Sequence, residues 1–392
     1  MIRSLLEDDL YTFTMQQAIL HNFPDVRVRY RFKCRDDTDL LHCRDELQDE
    51  IGRLASLRFS KEELEYLRGS RFFLSFIKPS YIEFLKNFQL CKDDVRVFED
   101  GGRLAVEVEG NWFHTIPWEV KILATINEIH FRDKGSLSVG RSHLREKIDL
   151  VNKDTEERTC VSSPRHPFQF ACFGLRRRYS SAWHDEIIST LKESLPNNFV
   201  GTSNVYLAMK HGVKPIGTMA HQWIQAGQGL FRPQDSQKMM LDLWAKEYRG
   251  ELGIALSDTL GHKKFLEDFD KYFANLYAGT RHDSGDPVLW GYRTLNHYKT
   301  LGIDSGEKAV VFSDGLDFPK AISLAKEFDG LIRTSAGIGT NLTCDVGVKP
   351  APNVLKLVEV NGSPVAKISD SPGKGMCEDR DYLDYLKRSI GW

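Results

Sequence analysis

The spacing of apolar positions changes character along the chain. Residues 8–20 carry a helical pattern that Pro24 stops, with Tyr11 near its start. Val26-Arg-Val-Arg-Tyr-Arg-Phe32 then alternates apolar and basic residues strictly, as a half-buried strand does. Leu40, Leu47, Ile51 and Leu54 recur at helical spacing, and Ser60-Lys-Glu-Glu63 matches a capping box ahead of a further helix. Val95–Glu99, Asp100-Gly-Gly102 and Leu104–Val108 read as a β-hairpin. Residues 1–115 are therefore expected to form a mixed α+β domain with antiparallel strands.

Near Pro117 the pattern changes. Helices are expected over 117–132 and 140–153, after which short apolar runs alternate with amphipathic stretches. The runs are Phe168–Phe173, Asn198–Gly201, Pro215–Thr218, Leu252–Leu256, Tyr277–Thr280, Ala309–Phe312 and Leu331–Thr334. Between them lie segments such as Trp183–Leu195, Gln234–Tyr248 and Lys264–Leu276. Strands and helices alternating at this spacing predict parallel βαβ units, and about seven of them suggest a closed or nearly closed α/β barrel over 116–345. A doubly wound open sheet is the competing arrangement. In the last segment, 346–392, Val354–Val360, Gly362 and Val365–Ile368 read as another hairpin. Two strands cannot bury themselves alone, so this hairpin is expected to pack back on the first domain.

Composition narrows the class. With 53 basic and 55 acidic residues the formal net charge is −2, which argues against bulk electrostatic binding to nucleic acid and leaves room only for a local anion pocket. The seven cysteines (Cys34, Cys43, Cys91, Cys160, Cys172, Cys344, Cys377) are scattered and never form a C-x-x-C pair. That is the pattern of reduced thiols in a cytoplasmic protein. The start, Met1-Ile-Arg-Ser-Leu-Leu-Glu-Asp-Asp, has no apolar core of signal-peptide length, and no apolar run approaches the roughly 18 residues of a membrane span.

The residues with most chemical potential fall just after the predicted strands. They are Gly174-Leu-Arg-Arg-Arg178, Thr202-Ser203-Asn204, His221, Ser257-Asp258, Arg281-His-Asp-Ser-Gly-Asp286, Ser313-Asp-Gly-Leu-Asp317 and Gly337-Ile-Gly-Thr-Asn341. In an α/β barrel such positions converge on one rim, where these enzymes work. Each cluster also has a plain reading. His221 lies beside Met219 and Trp223 and would pack; Asp283-Ser-Gly-Asp286-Pro287 would turn and cap a helix; three successive arginines would be solvated. Together, however, Gly337 to Thr340 resembles a phosphate cradle, and Asp283, Asp286 and Asp314 supply carboxylates for sugar hydroxyls or a hydrated Mg²⁺. Arg176 and Arg281 supply anion-binding guanidiniums, and His221 a nucleophile. The kit suits a phosphorylated sugar with an anionic leaving group. Walker A, G-x-G-x-x-G and G-x-S-x-G patterns are all absent.

The combination of Asp9-Leu-Tyr11, Gly217-Thr-Met-Ala-His221, Arg281-His-Asp-Ser-Gly-Asp-Pro287, Phe312-Ser-Asp-Gly-Leu-Asp317, Gly337-Ile-Gly-Thr-Asn341 and Lys367-Ile-Ser-Asp-Ser-Pro-Gly-Lys374 resembles the nicotinate phosphoribosyltransferase family over nearly the whole chain. The resemblance implies an incomplete α/β barrel with a mixed N-terminal domain. It also implies formation of nicotinate mononucleotide and diphosphate from nicotinate and phosphoribosyl diphosphate. ATP hydrolysis would be coupled through phosphorylation of His221, and Mg²⁺ would be required, with its ligands left unassigned. Phe173 and Tyr11 would sandwich the pyridine ring, with Tyr11 reaching over from the neighbouring subunit of a homodimer. Arg281 and Arg176 would face the nicotinate and the diphosphate-bearing substrate, Asp283 and Asp314 the ribose hydroxyls, and Gly337, Gly339 and Thr340 the 5′-phosphate. Related nicotinamide-using enzymes carry an aspartate where Ser203 stands; a hydroxyl can donate to a carboxylate, which favours nicotinate. The nicotinamide enzyme is the nearest alternative. A sugar-phosphate aldolase or isomerase would need a lysine or base pair at a strand end, and a non-catalytic metabolite sensor would use the same rim without turnover.

Overall fold

The computed structural model describes residues 1–161 and 166–392. In chain order its strands are β1 (Arg27–Cys34), β2 (Val95–Asp100), β3 (Arg103–Asn111), β4 (Phe170–Cys172), β5 (Phe199–Thr202), β6 (Ile254–Leu256), β7 (Gly279–His282), β8 (Ala309–Phe312), β9 (Arg333–Ile338), β10 (Asn353–Val360) and β11 (Ser363–Pro364). They form a five-stranded antiparallel sheet ordered β11-β10-β1-β3-β2 and a six-stranded parallel sheet ordered β5-β4-β9-β8-β7-β6.

The antiparallel sheet forms for the reasons the sequence offers. Gly101 and Gly102, at φ 57° and 77°, make the left-handed turn that joins β2 to β3. Ser60 and Glu63 exchange both capping-box hydrogen bonds, at 3.2 and 2.8 Å. β10 pairs along β1 from Val28↔Val360 to Cys34↔Asn353, so the late hairpin does return to the first strand. Its second arm is shorter than expected. Only Ser363–Pro364 pairs with β10, and Lys367 instead makes an isolated bridge to Met376.

In the parallel sheet, neighbouring strands are consecutive in sequence except where β9 lies beside β4. One expected strand is missing from the ladder. Pro215–Thr218 contributes a single bridge, Thr202↔Pro215, in which Thr202 N donates to the Lys214 carbonyl and Ile216 N to the Thr202 carbonyl. Thr218 still reaches across to β6 through Oγ1, donating to the Ile254 carbonyl at 2.9 Å.

The Leu10–Asn22 helix is buried on nearly all sides over Leu10–Ile19. Trp112, which follows β3, stacks on Trp223 of the His221–Leu230 helix, with centroids 6.0 Å apart and 26° between planes. That stack locks the histidine-bearing helix to the first domain. After β11 the chain crosses the rim of the parallel sheet: Ile368 N donates to the Thr259 carbonyl at 2.9 Å, His262 N to Asp370 at 2.9 Å, and Gly285 N to Ser371 Oγ at 2.8 Å. Among the described residues no helix is long and apolar enough to cross a membrane, and six cysteines are free thiols; the side chain of Cys160 lies outside the described residues.

Candidate active site

A cleft of about 310 Å³ opens between the carboxyl ends of the parallel strands and the inner face of β10 and β1. Of the residues expected to act, Tyr11, Phe173, Arg176, Ser203, His221, Arg281, Asp283, Asp314, Gly337, Gly339 and Thr340 all line it.

His221 is the first residue of its helix. Trp223 turns into the core while His221 faces the cleft, so the packing reading fits Trp223 and not the histidine. The helix N-cap is Ala220, which makes no side-chain cap hydrogen bond to the first-turn N–H groups. His221 Nε2 lies 2.8 Å from Asp258 Oδ1, 2.7 Å from Lys367 Nζ and 3.4 Å from Asp283 Oδ2. Lys367 also meets Asp258 Oδ2 at 2.8 Å, and Ser284 donates to the same oxygen at 2.7 Å. Burial, and after it the Lys367 ammonium, holds the imidazole at a pKa of about 4 against the pull of Asp258. Burial alone would raise the Asp258 carboxyl, but His221 and Lys367 outweigh it and keep it well below the usual range. A neutral imidazole satisfies one neighbour at a time: Nε2–H donates to Asp258, or bare Nε2 accepts from Lys367. In the second arrangement the Lys367 ammonium occupies the Nε2 lone pair, which attacks only once that hydrogen bond is released.

The other carboxylates on this rim are partnered as well. Ser313 donates to Asp283 at 2.9 Å, and Lys374 pairs with Asp314. Gly337 has a steric task besides any cradle. A Cβ there would stand 2.3 Å from the Phe173 ring, so only glycine lets that ring lie over β9. Asn341 donates to the Leu316 carbonyl at 2.8 Å, tying the Gly337–Thr340 turn to the Ser313–Asp317 loop.

Three expectations change. Asp286 is exposed and lies outside the cleft; its side chain accepts from Leu289 N at 2.7 Å and caps the Pro287–Leu301 helix, the plain role that Asp-Pro at a helix start implies. Tyr11 lines the cleft of its own chain. Leu10 N donates to the Ser203 carbonyl at 2.8 Å and Val205 N to the Asp8 carbonyl at 3.0 Å, which sews the helix start to the end of β5. Ser203 does not hold its proton ready for a substrate: Oγ donates to Asp9 Oδ1 at 2.6 Å. Asp9 is buried, and that burial lifts its pKa to about 6 in spite of Arg176 and Ser203. Arg176 in turn binds Glu119 at 3.1 Å and stands 5.8 Å over the Tyr11 ring.

Several cleft residues carried no signal of their own. Asp9, Lys367 and Lys374 stood inside the family-like motifs without an assigned role, and Asp258 only followed a predicted strand. Glu119, Arg35 and Lys356 come from unrelated segments, a helix start, the residue after β1 and the middle of β10. Arg177 donates to the Asn353 carbonyl at 2.9 Å. Among the described residues Arg35 and Lys356 make no ion pair. Burial pulls Lys356 down to about 7.

Comparison with known proteins fits this geometry. Residues 168–391 match the model of the nicotinate phosphoribosyltransferase (NAPRTase) family, and residues 6–127 that of the NAPRTase N-terminal domain. The chain is 47% identical to a nicotinate phosphoribosyltransferase of Burkholderia mallei, covering 100% of this chain and 97% of that one. It is 48% identical to one of Bordetella pertussis, covering 99% and 94%. The crystal structure of nicotinate phosphoribosyltransferase from Vibrio cholerae superposes with a TM-score of 0.94 at 37% identity, covering 100% of this chain and 94% of that one. The corresponding structure from Porphyromonas gingivalis gives 0.93 at 32% identity, with 100% of both chains covered. The chain belongs to the nicotinate phosphoribosyltransferase family.

Proposed function

We propose that this chain is a nicotinate phosphoribosyltransferase. It joins nicotinate to phosphoribosyl diphosphate, giving nicotinate mononucleotide and diphosphate, and couples the reaction to ATP hydrolysis through His221. The observation that carries this reading is the His221 imidazole, fixed at a helix start between Lys367, Asp258 and Asp283 in the cleft that also holds Phe173, Tyr11 and the Gly337–Thr340 turn.

In this reading Phe173 and Tyr11 hold the pyridine ring, and Arg281 and Arg176 neutralise its carboxylate and the diphosphate. Asp283 and Asp314 position the ribose, and the Gly337–Thr340 turn takes the 5′-phosphate. The ring nitrogen attacks the anomeric carbon as the C–O bond to diphosphate breaks, and positioning supplies most of the rate. His221 Nε2 attacks the γ-phosphorus of ATP, ADP leaves, and water later returns the imidazole and phosphate. The positive end of the His221–Leu230 helix favours the phosphoryl group once attached. Asp283 and Asp314 would hold Mg²⁺ in place of the ammonium each now faces, Lys367 at 3.9 Å and Lys374 respectively. When bound, it neutralises charge on the leaving diphosphate.

The sheet order supports an incomplete barrel: strands are neighbours in sequence order, β9 rejoins β4, and Thr218 spans the gap before β6. A homodimer and a cytoplasmic location accompany the reading. The nicotinamide alternative rests on one contact, the Ser203–Asp9 hydrogen bond, which sets a carboxylate behind the serine. Competition between the two pyridines decides it. The main test incubates the protein with nicotinate, phosphoribosyl diphosphate, Mg²⁺ and ATP, and assays the mononucleotide and acid-labile phosphate on the protein. His221→Ala is expected to abolish ATP consumption and leave slow, uncoupled synthesis; full retention of coupling would remove His221 from the role.

A further inference from the structure

Among the described residues, one cluster of metal-binding side chains lies apart from the cleft. His42 and Cys43 belong to the short Leu41–Cys43 turn of helix, and His130 is in the last turn of the Trp118–Phe131 helix. One ligand atom from each of the three lies within 4.8 Å of the other two. Cys43 Sγ stands 3.5 Å from His42 Nε2, and the two imidazole rings are 5.2 Å apart, tilted by 38°.

We infer that His42, Cys43 and His130 form a zinc-binding site, with water as the fourth ligand. The spacing of Cys43 and His42 fits a tetrahedral ion, and His130 stands within 4.8 Å of both. With Zn–S about 2.3 Å and Zn–N about 2.0 Å, a tetrahedral edge between sulfur and nitrogen measures about 3.5 Å, which is the spacing of Cys43 and His42. The donor set of two imidazoles and a thiol is one that zinc accepts and magnesium does not. The site also lies at a helix C-terminus, where carbonyl dipoles favour a cation. A cation already visits it: Lys134 Nζ lies 3.2 Å from His130 Nε2 and 3.4 Å from Nδ1. Lys134 is exposed, so its ammonium can swing into water and yield the place. Zinc binding releases the Cys43 proton to solvent and closes one Zn–S and two Zn–N bonds. It would pin the Leu41–Cys43 turn to the far end of the helix whose first turn carries Glu119 into the cleft.

The test is a titration of the full chain, reduced with a phosphine, with Co²⁺ as the spectroscopic stand-in for zinc. The expected result is a thiolate-to-cobalt charge-transfer band with tetrahedral visible bands, both displaced by Zn²⁺. Cys43→Ala should abolish the charge-transfer band, and His130→Asn should weaken binding by about tenfold or more. Lys134→Ala, which removes the competing ammonium, should tighten it. Should Cys43→Ala fail to fold, His42→Ala changes an exposed side chain and carries the same prediction as His130→Asn. A chain that gives no charge-transfer band, or a band that survives Cys43→Ala, overturns the inference.

Discussion

The two walls of the cleft handle charge in opposite ways. On the rim of the parallel sheet each acidic group has its partner: Asp258 has Lys367 and His221, Asp283 has Ser313, and Asp314 has Lys374. On the wall formed by β1 and β10, Arg35 and Lys356 make no ion pair among the described residues. The rim is internally balanced, so its geometry persists whatever it binds. The opposite wall keeps surplus positive charge, and its electrostatic satisfaction must come from an anion entering the cleft. A buried pair broken on the rim should therefore damage the fold, whereas a cation removed from the wall should damage binding.

The largest effect tests the first half of that contrast. Asp258→Asn leaves Lys367 buried beside His221 without its carboxylate; breaking such a pair costs about 3–5 kcal/mol, read as a lowered denaturation midpoint together with loss of ATP coupling. Unchanged stability would mean that the rim is not balanced by this pair. The second half predicts that Lys356→Gln raises KM for phosphoribosyl diphosphate by about ten- to a hundredfold, with the denaturation midpoint unchanged or higher. The sign with pH follows. Folding lowers the Lys356 pKa to about 7, so the ammonium is present below that pH and lost above it; KM for this substrate should rise as pH climbs through about 7, and Lys356→Gln should flatten the rise. A midpoint that falls as far as that of Asp258→Asn would erase the distinction between the walls.

A third substitution probes shape without touching charge. Gly337→Ala drives a methyl group into the Phe173 ring, which should cost about 1–3 kcal/mol and raise KM for nicotinate more than for phosphoribosyl diphosphate. The smallest effect concerns the junction of the walls. Asp9 has a folded pKa of about 6, so it is uncharged below that pH and ionised above, where it opposes an incoming carboxylate. Nicotinate KM should fall as pH drops through about 6, and Asp9→Asn should remove that dependence. A persistent limb in the variant would assign the titration to another group.

The sequence was most readable where local pattern and tertiary context agree. Ala309–Phe312 is a strand with the bounds its apolar run suggests, and Ser60 caps its helix as its spacing requires. It was least readable where a local rule had two outcomes. Asp286-Pro287 serves as a cap, yet Asp283, three residues earlier in the same cluster, faces the cleft. Pro215–Thr218 has the length of a strand but pairs only through the Thr202↔Pro215 bridge among the described residues. Lys356 escaped notice because an isolated lysine in Asn353–Val360 looks like an exposed strand position; only the packing of β10 over the rim turns it inward. The Ser203–Asp9 contact joins residues 194 positions apart, and no local pattern encodes it.

The bridge from Lys367 to Met376, together with the Ile368–Thr259 bond, has a consequence for synthesis. Ribosomes deliver Asp258, His221 and Asp283 long before the ammonium that neutralises them. Until Lys367 emerges, Asp258 lacks the lysine it faces and His221 the ammonium beside its Nε2. A nascent or prematurely terminated chain can therefore assemble its sheets and still lack a working nucleophile. Competence waits for Lys367, which follows every described strand of both sheets in chain order.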